Sequence, residues 1–243
     1  MLILAIDTSS SYGGVALLAD AQMVAEESGE SAEPSSSGLF RRVSSVLGKA
    51  AVRLSDVQCF AVAAGPGSFT GLRVGLAAVK GWAEVWQRPV AAVSVLEAVA
   101  AQASEPGSTV AALTDARRGL LFCGLYRRIS GSGPDDATGI ADLEKIDDEF
   151  VATPVEILDR LLVLGGTREQ PLFVTPSPEA AVAIVASLAA RSARIEVVSP
   201  ALAPVIGRLG LRQALRGKLV DALGLNANYI QRSAAELNWK ERV

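Results

Sequence analysis

Residues 2–6 form a short continuous apolar run that stops at Asp7; a stretch rich in hydroxyls and glycine follows (8–14), then a second apolar run (15–19). Two strands joined by a turn account for this pattern. Residues 21–28 supply a third strand, and 29–38 read as a polar loop. From Leu39 the period changes. Leu39, Phe40, Val43, Val46, Leu47, Ala50 and Ala51 fall within an arc of about 140° on a helical wheel, which marks an amphipathic helix. Residues 57–64 then form a buried strand that runs straight into GPGSFTG (65–71).

The next helix, about 70–87, has apolar surface to spare. Its charged and amide residues, Arg73, Lys80, Glu84 and Gln87, project onto a stripe only about 60° wide. Packing on one sheet uses one apolar face, so the remainder needs a second cover. A ridge of mostly small residues, Gly71, Gly75, Ala78 and Trp82, would let another backbone approach closely. Either the chain's own second half covers it, or this helix shares a protein interface with the preceding one. In the second case the contact residues are Leu39, Phe40, Val43, Leu47, Gly71, Leu72, Val74, Gly75, Ala78, Val79 and Trp82.

Residues 90–93 read as a strand and 95–103 as a helix, broken at Glu105, Pro106 and Gly107. The opening pattern then recurs: an apolar run (110–114), Asp115, the turn ARRG and another apolar run (120–126). This internal echo divides the chain into lobes of residues 1–106 and 107–243, each built on a βββαβα unit. In the second half, 154–164, 178–190 and 201–216 look helical, with short strands near 172–175 and 195–198. The acid-rich stretch 135–149 reads as a solvated face. Arg208, Arg212 and Arg216 stand at helical spacing and suit either a solvated face or an anion surface.

Composition narrows the chemistry. The 243 residues include no histidine, which removes imidazole acid/base work, Ser/His and Cys/His pairs and imidazole-ligated metals. Half of the residues are hydrophobic and the mean hydropathy is +0.33, so a sizeable core is expected. A net charge of −3 creates no global attraction for nucleic acid or acidic membranes. Cys59 and Cys123 lie in strand-like apolar runs without CxxC spacing and read as buried free thiols. There is no basic leader and no apolar run long enough for a membrane span, which leads to the expectation of a cytoplasmic protein.

Two motifs are candidates for ligand binding. Asp7, Thr8 and Ser9 at a strand exit can cradle a phosphate and a hydrated cation, or simply cap their own turn. GPGSFTG joins a strand to a helix, where an anion can bind. It has neither the lysine of a P-loop nor dinucleotide-fingerprint spacing, so by itself it is a tight turn with Ser68 or Thr70 as the helix cap. With Asp115, the cofactor candidates are Asp7, Thr8, Ser9, Gly65, Gly67 and Ser68. No hydroxyl or thiol has a base beside it, so no catalytic residue is assigned.

The segments ILAIDTSS, VAAGPGSFTGLRVGLAAVKGWA, PVAAVSVLEAVA, TDARRG and NYIQRSAAE together resemble the TsaB (YeaZ) family. The resemblance implies a two-lobed α/β fold of the actin-like ATPase or ribonuclease H-like kind. It implies a non-catalytic subunit of the bacterial tRNA threonylcarbamoyladenosine machinery, with a catalytic paralogue TsaD and an ATPase TsaE as partners. Such a subunit activates TsaD for transfer of threonylcarbamoyl from threonylcarbamoyl-AMP to the adenosine beside the anticodon in tRNAs reading codons that begin with A. It forms a homodimer when alone, meets tRNA only through the complex and does not bind membranes. It has no intrinsic cofactor, and the resemblance leaves open an ATP or ADP at the partner interface. Members often carry a histidine where this chain has Ser35, Ser36 and Ser37, and an acid where it has Leu120. The alternative is an independent ATP-dependent phosphotransferase or hydrolase of the same superfamily, holding Mg²⁺ through Asp7 and Asp115.

Overall fold

Strands apolar on both sides must be covered on both faces, and the first sheet is built that way. The structure, a computed structural model, describes residues 1–30, 35–106, 108–129, 138–164, 171–187 and 194–230, without the side chains of 35–37 and 162–164. β1 (Leu2–Asp7) pairs antiparallel with β2 (Tyr12–Ala19), which pairs with β3 (Gln22–Glu30). After α1 (Ser35–Ala50), β4 (Cys59–Gly65) joins the other edge of β1 in parallel. α2 (Phe69–Trp86), β5 (Val90–Ser94) and α3 (Val95–Ala100) complete the unit, and the sheet order is β3-β2-β1-β4-β5. α1 starts at Ser35, inside the stretch expected to be loop, because composition alone does not separate a polar first turn from a loop.

The second half repeats the plan. β6 (Thr109–Arg117), β7 (Leu120–Ile129) and β8 (Asp142–Lys145) form a meander. β9 (Phe150–Ala152), α4 (Pro154–Leu164), β10 (Leu172–Thr175), α5 (Pro178–Ser187), β11 (Arg194–Val197) and α6 (Ala203–Leu215) follow. The sheet order is β11-β10-β6-β7-β8, with β9 also against β7. Strands β6, β7, β8, β10 and β11 thus have the neighbour relations of β1 to β5. The molecule has the duplicated mixed-sheet architecture of the actin-like, ribonuclease H-like fold; beyond the βββαβα expected, the first repeat carries β5 and α3, and the second carries β9, β11 and α6.

The acid-rich stretch departs from its expectation. Its described part holds β8 and leads into β9 rather than forming only a solvated face; Asp135 and Asp136 lie outside the described residues. Charge on a short edge strand is compatible with pairing on one side only. Asp142 takes Arg212 at 3.2 Å and Arg216 at 2.6 Å. Arg212, 6% exposed, also donates to the Ala141 and Ile140 carbonyl oxygens and to Thr138. Arg212 and Arg216 are therefore tied to the chain itself, which differs from both the solvated face and the anion surface expected; Arg208 is half exposed.

The last helix also exchanges sides. α6 packs on β1, β2, β4 and β5 of the first sheet, opposite α1 and α2, while α3 packs on β6 and β7 of the second. Small residues make the first of these contacts close. A Cβ at Gly207 would strike Leu18, and one at Gly210 would stand 2.7 Å from the Ala61 Cβ. The main core accordingly runs through both halves, including Ile3, Phe60, Leu96, Val110, Phe122 and Ile206. Overpacking such a seam costs about 1–3 kcal/mol. Gly210→Val should lower the unfolding free energy in urea by about 2 kcal/mol or more; an unchanged midpoint would mean that α6 does not sit tightly on β4.

Candidate functional site

Two glycines one helical turn apart fix how α2 meets the first hairpin. A Cβ at Gly71 would collide with the Thr8 carbonyl oxygen, and one at Gly75 with the Thr8 hydroxyl. Their absence lets the helix backbone lie directly on the β1–β2 turn. Ser68 caps α2 by accepting from the Gly71 amide at 3.3 Å, and its own amide donates to the Ser9 carbonyl at 2.7 Å. Gly67 rests on the same Ser9 carbonyl. The structure thus brings Asp7, Thr8, Ser9, Gly65, Gly67 and Ser68 together, as a packed junction.

Part of its polarity is engaged within the junction. Asp7 is 1% exposed, and its Oδ1 accepts from the Ser9 amide at 2.8 Å and the Ser9 hydroxyl at 2.6 Å. Burial pushes its carboxyl up from the usual range; the Ser9 hydrogen bonds and the nearby Arg42 guanidinium oppose this. Its Oδ2, like the Thr8 hydroxyl, has no hydrogen-bond partner among the described residues. Gly65, at φ 114°, lies under the Asn228 carbonyl oxygen, 2.6 Å from where a Cβ would be. Asp115, the other member of the expected pair, sits exposed at the β6–β7 turn, where it accepts from the Arg117 amide at 2.7 Å. The two aspartates therefore occupy unlike environments, and each serves its own turn.

A cavity of about 60 Å³ lies beside Asp7, lined also by Ser10, Gly13, Leu39 and Arg42. It is small beside an ordinary ligand pocket, which usually exceeds roughly 300 Å³. Arg42, which sequence reasoning did not single out, enters this cavity from α1 and donates to the Gly29 carbonyl at 2.6 Å. Its place beside the edge of the apolar arc of the α1 wheel, three residues after Leu39, was the available signal. Cys59 and Cys123 are buried free thiols, and burial raises both to about 12. Among the described residues, no three Cys, Asp or Glu side chains form a metal-binding group, and no helix is long and apolar enough to cross a membrane.

The expected interface residues divide. Leu39, Val43, Leu47, Leu72 and Val79 are buried in this chain's own core, and Gly71 and Gly75 are buried against Thr8. These seven, named for the case of a shared interface, are instead packed within the chain, which corrects that part of the expectation. Phe40, at 52% exposure, and the half-exposed Val74, Ala78 and Trp82 remain accessible. The Trp82 ring links Phe60 in the core to Phe40 outside, with both centroid distances 5.9 Å. Val85, 71% exposed, and the exposed Ala77 and Gly81 extend this face and were missed. The outward surface of α2 is thus displaced from the predicted ridge.

Comparison with known proteins follows the same architecture. The chain is 33% identical over 168 residues to the Escherichia coli tRNA threonylcarbamoyladenosine biosynthesis protein TsaB, covering 68% of each. The chain belongs to the TsaB family. It is 37% identical over 131 residues to the Bacillus subtilis member, where the match spans 57% of that protein and 54% of this chain. YeaZ from Pseudomonas aeruginosa superposes with a TM-score of 0.75 at 26% identity, over 94% of this chain and 99% of that one. A family model described as TsaD, tRNA N6-adenosine threonylcarbamoyltransferase, matches residues 30–150.

The two kinds of glycine on α2 can be told apart by substitution. Alanine in place of an open helical glycine stabilises by about 0.5–1 kcal/mol. Gly81→Ala, with nothing near its Cβ, should show that gain, whereas Gly71→Ala should destabilise by about 1–3 kcal/mol in urea unfolding. Equal effects would mean that Gly71 is not the close contact with Thr8.

Proposed function

We propose that the chain is a non-catalytic subunit of cytoplasmic tRNA threonylcarbamoyladenosine biosynthesis, which binds a TsaD-type transferase and holds it in its working arrangement. The observation that carries this reading is the outward face of α1 and α2. There Phe40, Ala77, Ala78, Gly81, Trp82 and Val85 present an accessible apolar and small-residue surface, mostly along the helix that Gly71 and Gly75 seat on Thr8. Small residues permit close helix approach, and a rigid backing keeps the presented shape fixed. Membership of the TsaB family and the TsaD-type model matching residues 30–150 support the choice of partner.

In this reading the chain contributes surface and the partner contributes chemistry. Burial of Asp7, the local use of Ser9, Ser68 and Asp115, and the small cavity all favour it over the phosphotransferase alternative. A second copy of the chain occupies the same face when no partner is present. The TsaE-type ATPase joins the assembled pair, tRNA is met only through the complex, and any ATP or ADP lies at the boundary with the catalytic partner.

Val85 tests the surface without touching the core. Val85→Asp should leave the thermal midpoint of the isolated chain within about 2 °C of wild type. It should weaken binding to a purified TsaD-type partner, measured by calorimetry, by about tenfold or more, a desolvated charge at an apolar contact costing at least 1.4 kcal/mol. Unaltered affinity would place the partner elsewhere.

A further inference from the structure

Glu149 lies in the connection between β8 and β9, half-buried, and its carboxylate gathers donors from three parts of the chain. Oε1 accepts from the Ser94 hydroxyl, at the end of β5 in the first sheet, and from the Tyr126 hydroxyl on β7 of the second at 2.6 Å. Oε2 accepts from the Asn228 side-chain amide at 2.5 Å. Asn228 belongs to the segment after α6, which returns across the first sheet: its backbone amide donates to the Ala64 carbonyl at 2.7 Å, and its own carbonyl lies over Gly65. The next residue, Tyr229, sets its ring 5.3 Å from that of Phe69, which also carries the Arg73 guanidinium at 3.6 Å.

We infer that Glu149 is a latch: one carboxylate joins the two sheets and pins the 226–230 segment as a strap over the base of α2. The other holds on the described part of the strap are the Asn228–Ala64 backbone bond, the Tyr229–Phe69 ring contact and the partly buried Ala227 and Ile230. Leu225 is fully buried and anchors its start, but Asn228 and Tyr229 are exposed. Hydrogen bonds to an ionised acceptor are about twice as strong as neutral ones, so the carboxylate adds a strong side-chain hold to this segment. The strap covers Gly65 and the ring of Phe69, which are otherwise the open approach to the start of α2. Its release would uncover that approach without unfolding either sheet. Strap position and the joint between the sheets are therefore coupled through a single side chain.

A charge-swap pair tests the latch on the full chain by amide hydrogen exchange with mass spectrometry. Asn228→Asp places a second carboxylate against Glu149 and should speed exchange in peptides covering 226–230 and 65–69 by about tenfold or more, leaving peptides from α6 unchanged. Adding Glu149→Gln restores a donor–acceptor pair and should bring exchange back to within about threefold of wild type. Wild-type exchange in Asn228→Asp, or failure of the second substitution to restore protection, would overturn the latch. Both positions lie outside the sheets' cores, and unchanged far-ultraviolet dichroism would show that each variant is folded.

Discussion

The contact on which the rest of the structure depends is the approach of α2 to the turn at Thr8. Gly71 and Gly75 bring the helix backbone onto that turn, and neither position has space for a Cβ. From that contact the rest follows in order. Ser68 reaches the Ser9 carbonyl, the 65–68 loop closes on the first strand's exit, and Asp7 is left buried with its carboxyl raised. The same contact sets the rotation of α2. With Gly71, Leu72, Gly75, Leu76, Val79 and Ala83 turned inward, Val74, Ala77, Ala78, Gly81 and Val85 have to face out. A loop with the position of an anion site thus works as a spacer, and a helix that resembles core presents a surface.

Much of this was legible in the residues because it rests on periodicity. The runs ending at Asp7 and Asp115 gave the duplication, and the shift to helical spacing at Leu39 gave α1. The apolar excess on α2 gave a second covered face. What stayed hidden rests on distance. Glycine in a helix is read equally well as an internal close approach or as an external one, and only the position of Thr8 decides between them. The wheel of α2 likewise predicted surplus surface correctly and its centre wrongly, by about one small residue per turn. Arg212 shows the same limit: its spacing with Arg208 and Arg216 suggested a stripe, whereas the Asp142 strand that consumes it is far away in sequence.

The two halves are interlocked and not merely adjacent. α3 and α6 each pack on the other half's sheet, and Glu149 closes the rim between them. Under the proposed function, interlocking of this kind suits a part that holds a shape for another protein, because relative motion of the sheets would distort the face that α1 and α2 present. The buried Asp7 carboxylate and the Ser9 and Ser68 hydroxyls are meanwhile engaged in local hydrogen bonds.

The most direct test of this division is threonylcarbamoyl transfer to tRNA, reconstituted with a TsaD-type partner and the chain carrying Asp7→Asn. The amide keeps the acceptor used by Ser9 and removes only the carboxyl group. If the chain supplies surface and no chemistry, the rate should stay within about twofold of wild type, the span of an ordinary conservative change. A loss of about a hundredfold with partner binding intact, the scale of a removed catalytic acid or base, would contradict the account.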